Sequence, residues 1–165
     1  MPDGLLAGCS DLEEEIESAF LGPEGHVPER VVYDDSGSHL ECNEVRAKFR
    51  GKDWRALSAR FLCRNASAPH FFDPEARLYF LPAFMLYLIR NPDDSSMIPH
   101  TLVSILSPAT RGGSKDLLTR MRSQSTVAQR LAIRKFLEFM VRSPEATSFG
   151  MEELKEGVLF WSDPS

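Results

Sequence analysis

Apolar positions recur every three to four residues along most of this chain, and strand-like alternation is almost absent, so the pattern predicts helices from one end to the other. Leu12, Ile16, Ala19 and Phe20 share one helical face, opposite Glu13, Glu14, Glu15 and Glu17. Ser10 followed by Glu13 reads as a capping box at its start, and Gly22-Pro23 as its end. Residues 23–38 carry Pro23, Gly25, Pro28 and Gly37 around a short Val31-Val32-Tyr33 run, which predicts a loop with one extended segment. Ser38 with Glu41 predicts a second capped helix through Leu40, Val45 and Phe49, closing at Gly51. Asp53 is placed to cap a third, bearing Trp54, Leu57, Phe61 and Leu62.

The middle of the chain is the most apolar. Asp73, Pro74 and Glu75 are mutually consistent start signals: a side-chain acceptor at the N-cap, a preset φ at the first helical position, and a negative charge in the first turn. The run from Leu78 to Ile89 follows, too short for the roughly 20 residues of a bilayer-spanning helix and interrupted by Pro82, where the helix must kink or restart. Residues 83–89 are apolar on every side, which suits a helix at the centre of a bundle. Beyond the polar break at 91–96, Thr101 to Leu106 predicts a short helix, and Ser114 is placed to cap another carrying Leu117, Leu118 and Met121. Thr126 with Gln129 predicts a capping box for a long helix, with Ile133, Phe136, Leu137 and Met140 inward and Arg130, Arg134 and Lys135 outward. Ser143-Pro144 ends it, and Met151, Leu154, Val158 and Trp161 mark a terminal helix. The expected fold is a single all-α domain over 1–165, an irregular bundle of about six to eight helices around a Pro-kinked apolar centre. Residues 1–9 are expected to be a flexible N-terminus.

Composition adds little to that fold. At 165 residues and 42% hydrophobic side chains the chain can furnish one core, and 26% charged residues exclude a disordered tail or a disulfide-knotted miniprotein. Charge layout changes the picture more. The net of −5 divides into −10 over residues 1–41, +3 over 42–110, +6 over 111–142 and −4 over 143–165. The question this raises is whether the acidic ends neutralise the basic middle or whether each forms a separate docking face.

One stretch carries a resemblance. Phe72-Asp73-Pro74-Glu75-Ala76, then Tyr79 and Leu81-Pro82-Ala83-Phe84, with Trp54 upstream and Thr126-x-x-Gln129 and Phe136-Leu137-Glu138-Phe139 downstream, resembles an uncharacterised bacterial domain-of-unknown-function family. There a Pro-Glu-Ala box leads into a Tyr-Leu-Pro-Ala-Tyr/Phe helix; here Phe80 stands between Tyr79 and Leu81. The resemblance spans about residues 10–162. It implies the helical fold and a bacterial, cytoplasmic origin, and implies no activity. Three cysteines, an odd number, and an N-terminus without a basic leader or long apolar stretch point the same way, to reduced thiols in the cytoplasm.

Candidate chemistry is sparse. His70, Asp73, Glu75 and Tyr79 could form an acid-base cluster beside a pocket, although Asp73 and Glu75 are already explained by capping and Tyr79 by core packing. His39-x-x-Cys42 with Cys63 and His70 supplies the donor set of tetrahedral zinc, but seven residues separate Cys63 from His70 where tight pairs are the rule, so buried thiols are preferred and no metal or cofactor is expected. Arg111-Gly112-Gly113-Ser114-Lys115 lacks P-loop spacing and reads as a loop. The basic 111–142 surface, with Arg120, Arg130, Arg134 and Lys135, raises nucleic acid, which a pI of about 5.4 disfavours. The preferred expectation is a non-enzymatic protein, of immunity or adaptor type, that binds a protein partner through charged faces including Glu13, Glu14 and Glu17. The alternative is a small enzyme or ligand-binding domain at the His70 pocket. No membrane association is expected.

Overall fold

The computed structural model describes residues 2–22, 26–92, 96–108, 115–143 and 145–162, and these form an all-α bundle. The Pro23 stop, residues 93–95 of the 91–96 break, the Ser114 cap, the Gly112-Gly113 segment and Pro144 lie outside them. The helices are α1 (Pro2–Ala19), α2 (Leu40–Phe49), α3 (Ala59–Arg64), α4 (Pro74–Arg90), α5 (Ile98–Leu106), α6 (Lys115–Gln124), α7 (Val127–Val141), α8 (Ala146–Phe149) and α9 (Met151–Ser162), with single 3₁₀ turns at Trp54–Ala56 and Ala68–Phe71.

The strongest start signals hold. Asp73 accepts the Ala76 amide at 2.9 Å with Pro74 in the first turn of α4. Thr126 and Gln129 form the reciprocal box of α7 at 3.1 and 3.0 Å. Three start sites differ. The helix expected from Ser10 already runs from Pro2, so Ser10 lies inside α1. Upstream Leu5, Leu6 and Ala7 are good helix formers, which lets the helix begin before the apparent box. Helix α2 is capped by His39, whose Nδ1 accepts the Cys42 amide at 3.2 Å, while the Ser38 amide donates to Ser36 Oγ. The helix expected from Asp53 divides in two: Asp53 caps only the 3₁₀ turn by accepting the Arg55 amide, and Ser58 restarts the chain as α3 by accepting the Phe61 amide.

Helix α4 organises the core. It continues through Pro82 without restarting and contacts α1, α3, α5 and α6. Phe80, Leu81, Phe84 and Met85 are fully buried on it. Phe49 of α2 meets Phe72 and Phe80 edge-on, with ring centroids 4.9 and 5.1 Å apart, the arrangement that ring quadrupoles favour. The Cys63 thiol donates to the Tyr87 hydroxyl at 2.9 Å, joining α3 to α4.

On the other side α7 packs against both α1 and α9. The α9–α5 contact is close because Gly157 has no side chain: a Cβ there would stand 3.2 Å from Leu137 Cδ1 and 3.4 Å from the Leu106 carbonyl oxygen. One turn on, the buried Trp161 Nε1 donates to that same carbonyl at 2.9 Å, satisfying an orphan acceptor at the end of α5. Gly150 supplies φ +102° between α8 and α9, a conformation that side chains rarely adopt.

The acidic face of α1 is partly neutralised in the fold. Leu12, Ile16 and Phe20 turn inward, while Glu15 meets Lys135 of α7 at 2.8 Å and Glu13 and Glu17 flank Arg90 of α4 at 3.3 and 3.2 Å. Among the described residues, no helix is long and apolar enough to cross a membrane.

Candidate functional site

The chain entering α4 is held in place by a short extended pairing. Val32 and Phe72 form an isolated antiparallel bridge, with the Tyr33 amide donating to the Phe71 carbonyl at 3.1 Å and the Asp73 amide to the Val31 carbonyl at 3.0 Å. The Val31-Val32-Tyr33 run is therefore extended, as its composition suggests, and it carries Tyr33 to the same side as His70 and Phe71. There Tyr33 joins a cavity of about 470 Å³ with Arg77 of α4, Ser104, Ile105 and Ser107 at the end of α5, Pro108, and Lys115, Leu117 and Leu118 in the first turn of α6.

Arg77 is the unusual member. It is only 5% exposed, a rare state for a charged side chain. Its Nε donates to the Phe72 carbonyl at 3.2 Å and its Nη2 to the His70 carbonyl at 3.1 Å, so the guanidinium braces the turn that precedes its own helix. Among the described residues Nη1 has no hydrogen-bond partner. Burial lowers the Arg77 pKa from 12.5 to about 10, opposed by Asp73 and Tyr33, which leaves the group charged near neutrality. Burial, and then the positive charge of Arg77, hold His70 below its ordinary 6.5, so its imidazole is neutral near pH 7.

Charge in this cavity is one-sided. Arg77 and Lys115 line it, and no carboxylate does among the described residues. Asp73 points elsewhere: it caps α4 and stands 3.7 Å from Arg30. The first turn of α6 adds the positive end of a helix dipole. Tyr33 is itself tethered, its hydroxyl 3.4 Å from His39 Nε2. Because Nδ1 of His39 accepts the Cys42 amide, the neutral ring carries its proton on Nε2 and donates it toward Tyr33.

The four residues of the expected acid-base cluster are not brought together. His70 faces the basic cavity, whereas Glu75 and Tyr79 line a second cavity of about 270 Å³ with His26, Trp54 and Asp53. Glu75 pairs there with His26 at 3.3 Å. Burial raises the pKa of Asp73 and of Tyr79, the Asp73 shift being opposed by the Ala76 amide. The zinc candidates are likewise separated in role: His39 caps α2, Cys42 is buried, Cys63 bonds Tyr87, and His70 lines the basic cavity. Among the described residues no group of three or more His, Cys, Asp or Glu side chains is placed to hold a metal ion.

Four basic residues of 111–142 are engaged within the molecule. Arg120 faces Asp116 at 3.8 Å, Arg130 donates to the Ser125 carbonyl at 2.8 Å, Arg134 faces Glu138 at 3.5 Å, and Lys135 meets Glu15. Glu14 remains exposed on α1. Sequence reasoning overlooked Arg77, although a lone arginine between Ala76 and Leu78, in the first turns of a helix about to become wholly apolar, was a usable signal.

These features define the class: an all-α bundle with a basic cavity between α4, α5 and α6. The chain belongs to the family of unknown function DUF6714, whose model matches residues 9–164. No curated protein and no solved structure matches it.

Proposed function

We propose that the protein binds a small anionic ligand in the cavity at Arg77. The observation that carries this reading is a buried guanidinium with an unengaged Nη1, lining a cavity of about 470 Å³ that holds a second cation and, among the described residues, no carboxylate. Charge-assisted hydrogen bonds to an anion would satisfy that edge of Arg77, and the volume lies within the usual small-molecule range of about 300–1,000 Å³. His70, neutral near pH 7, offers the ligand one further donor or acceptor.

The cavity is favoured over docking through charged helical faces because Glu13, Glu15 and Glu17 already meet Arg90 and Lys135. The three free cysteines support a reducing compartment, the cytoplasm.

Thermal melting in phosphate against chloride at matched ionic strength tests the reading. Ligand that binds only the folded state raises the midpoint as its concentration exceeds Kd. The expected result is a phosphate-dependent rise that shrinks in Lys115→Ala; identical melts in the two salts would sink the proposal.

A further inference from the structure

Resting on the anion-site reading, we infer that the ligand is a small phosphate monoester with an apolar body, its phosphate held between Arg77 and Lys115 and its body lying against the apolar wall of the same cavity.

Three observations lead there. The first is charge. Two cations and the first turn of α6 face the cavity, and among the described residues no carboxylate lines it; Asp73, which caps α4, acts on Arg77 from outside the lining. A phosphate monoester carries about −1.5 to −2 at neutral pH, against −1 for a carboxylate, so it matches the lining more closely. The second is donor geometry. Nε and Nη2 of Arg77 already donate to Phe72 and His70 along one edge of the guanidinium, which leaves Nη1 as the donor for a ligand oxygen. Ser104 and Lys115 line the same cavity from α5 and α6, so donor-bearing residues reach it from three helices. A planar carboxylate would engage fewer of them.

The third is size and texture. A phosphate group is only a few times the roughly 30 Å³ that a water occupies in the liquid. Most of the cavity's approximately 470 Å³ is then left for the remainder of the ligand. What faces that volume is Phe71, Ile105, Pro108 and Leu118, from three separate parts of the chain. Apolar surface of this kind rewards burial of an apolar body and does nothing for a free inorganic ion.

Calorimetric titration of the intact protein with phenyl phosphate, inorganic phosphate and benzoate, at one ionic strength, separates the parts of the claim. The expected result is phenyl phosphate binding about tenfold or more tighter than either other probe. Benzoate binding as tightly as phenyl phosphate would overturn the phosphate assignment and leave an anion site. Inorganic phosphate binding as tightly would overturn the apolar body. No binding of any of the three would overturn the anion reading itself.

Lys115 is exposed, so Lys115→Ala leaves the core intact. It is expected to weaken phenyl phosphate about tenfold and benzoate about threefold, as loss of one charge-assisted contact acts more on the dianion. Equal losses for the two probes would overturn the charge matching.

Discussion

Arg77 and Glu75 stand two residues apart at the start of α4 and face different cavities, one cationic and one of mixed charge. On the Arg77 side the lining is cationic, and the charged group is buried and bonded to backbone carbonyls. On the Glu75 side the lining carries two carboxylates, Glu75 and Asp53, with Arg55 3.5 Å from Asp53, and the Glu75–His26 pair is half open to solvent, at 50% and 66% exposure. Helix geometry makes the division: positions two apart are about 200° around the axis, whereas Glu75 and Tyr79, four apart, share a face. Proximity in sequence at a helix start therefore says little about who shares a pocket. The two sides also differ in what they cost to disturb, because a buried charge held by carbonyls depends on its partners and an exposed pair does not.

The largest test of that contrast is Arg77→Met, which keeps an unbranched apolar side chain but removes both donors. The Phe72 and His70 carbonyls then lose their guanidinium partner, and the expected loss is about 2–3 kcal/mol in denaturant unfolding, together with loss of anion binding. A loss below about 0.5 kcal/mol would put Arg77 in the same category as an ordinary surface residue.

The His70 imidazole gives a directional test. Burial holds its folded pKa below the ordinary 6.5, so between the two values the unfolded chain binds more protons than the folded one. The contribution of His70 to stability is complete above 6.5 and is lost as pH falls through the lower, folded value. Chemical denaturation of the protein and of His70→Gln across pH 7.5 to 5 is expected to show a shallower acid-side decline in the variant. Parallel curves would mean that the imidazole is as free as in the unfolded chain.

The smallest effect is expected at Glu75→Gln. Its partner His26 is exposed and the pair is solvent-screened, so stability should change by less than about 0.5 kcal/mol and phosphate binding not at all. A substantial fall in phosphate affinity would show that the two cavities act as one site, which would erase the comparison.

The overall architecture was legible to the extent that its signals are local. The Asp73-Pro74-Glu75 start and the Thr126–Gln129 box are satisfied within a single turn, so neighbours in sequence suffice to specify them. The inward face of α1 at Leu12, Ile16 and Phe20 and the wholly apolar α4 follow from periodicity and are buried as the pattern implies. Helix starts failed where two local signals competed. Ser10 has the right residue types for a box, but good helix formers precede it; Ser38 stands beside a histidine that makes the same bond.

The candidate site was much less legible. Its lining comes from the 31–33 segment, the 68–71 turn, α4, α5 and α6, and no sequence window spans them. The cluster of His70, Asp73, Glu75 and Tyr79 looked coherent because those residues are adjacent in sequence, and helical rotation distributes them to a cap and two cavities.

The sequence by itself determined that this chain is helical, that Leu78 to Ile89 lies at its centre, and that charge is segregated along it. Those properties depend on residue type and on spacings of three or four, the range over which a helix reads its own sequence. Only the tertiary structure decided which charges meet. Packing α1 between α4 and α7 set Glu13, Glu15 and Glu17 against Arg90 and Lys135, and packing α5 and α6 beside the start of α4 enclosed Arg77 with Lys115 and, among the described residues, no acid in the lining. Electrostatic interaction depends on distance in space and on burial, which residue order does not contain.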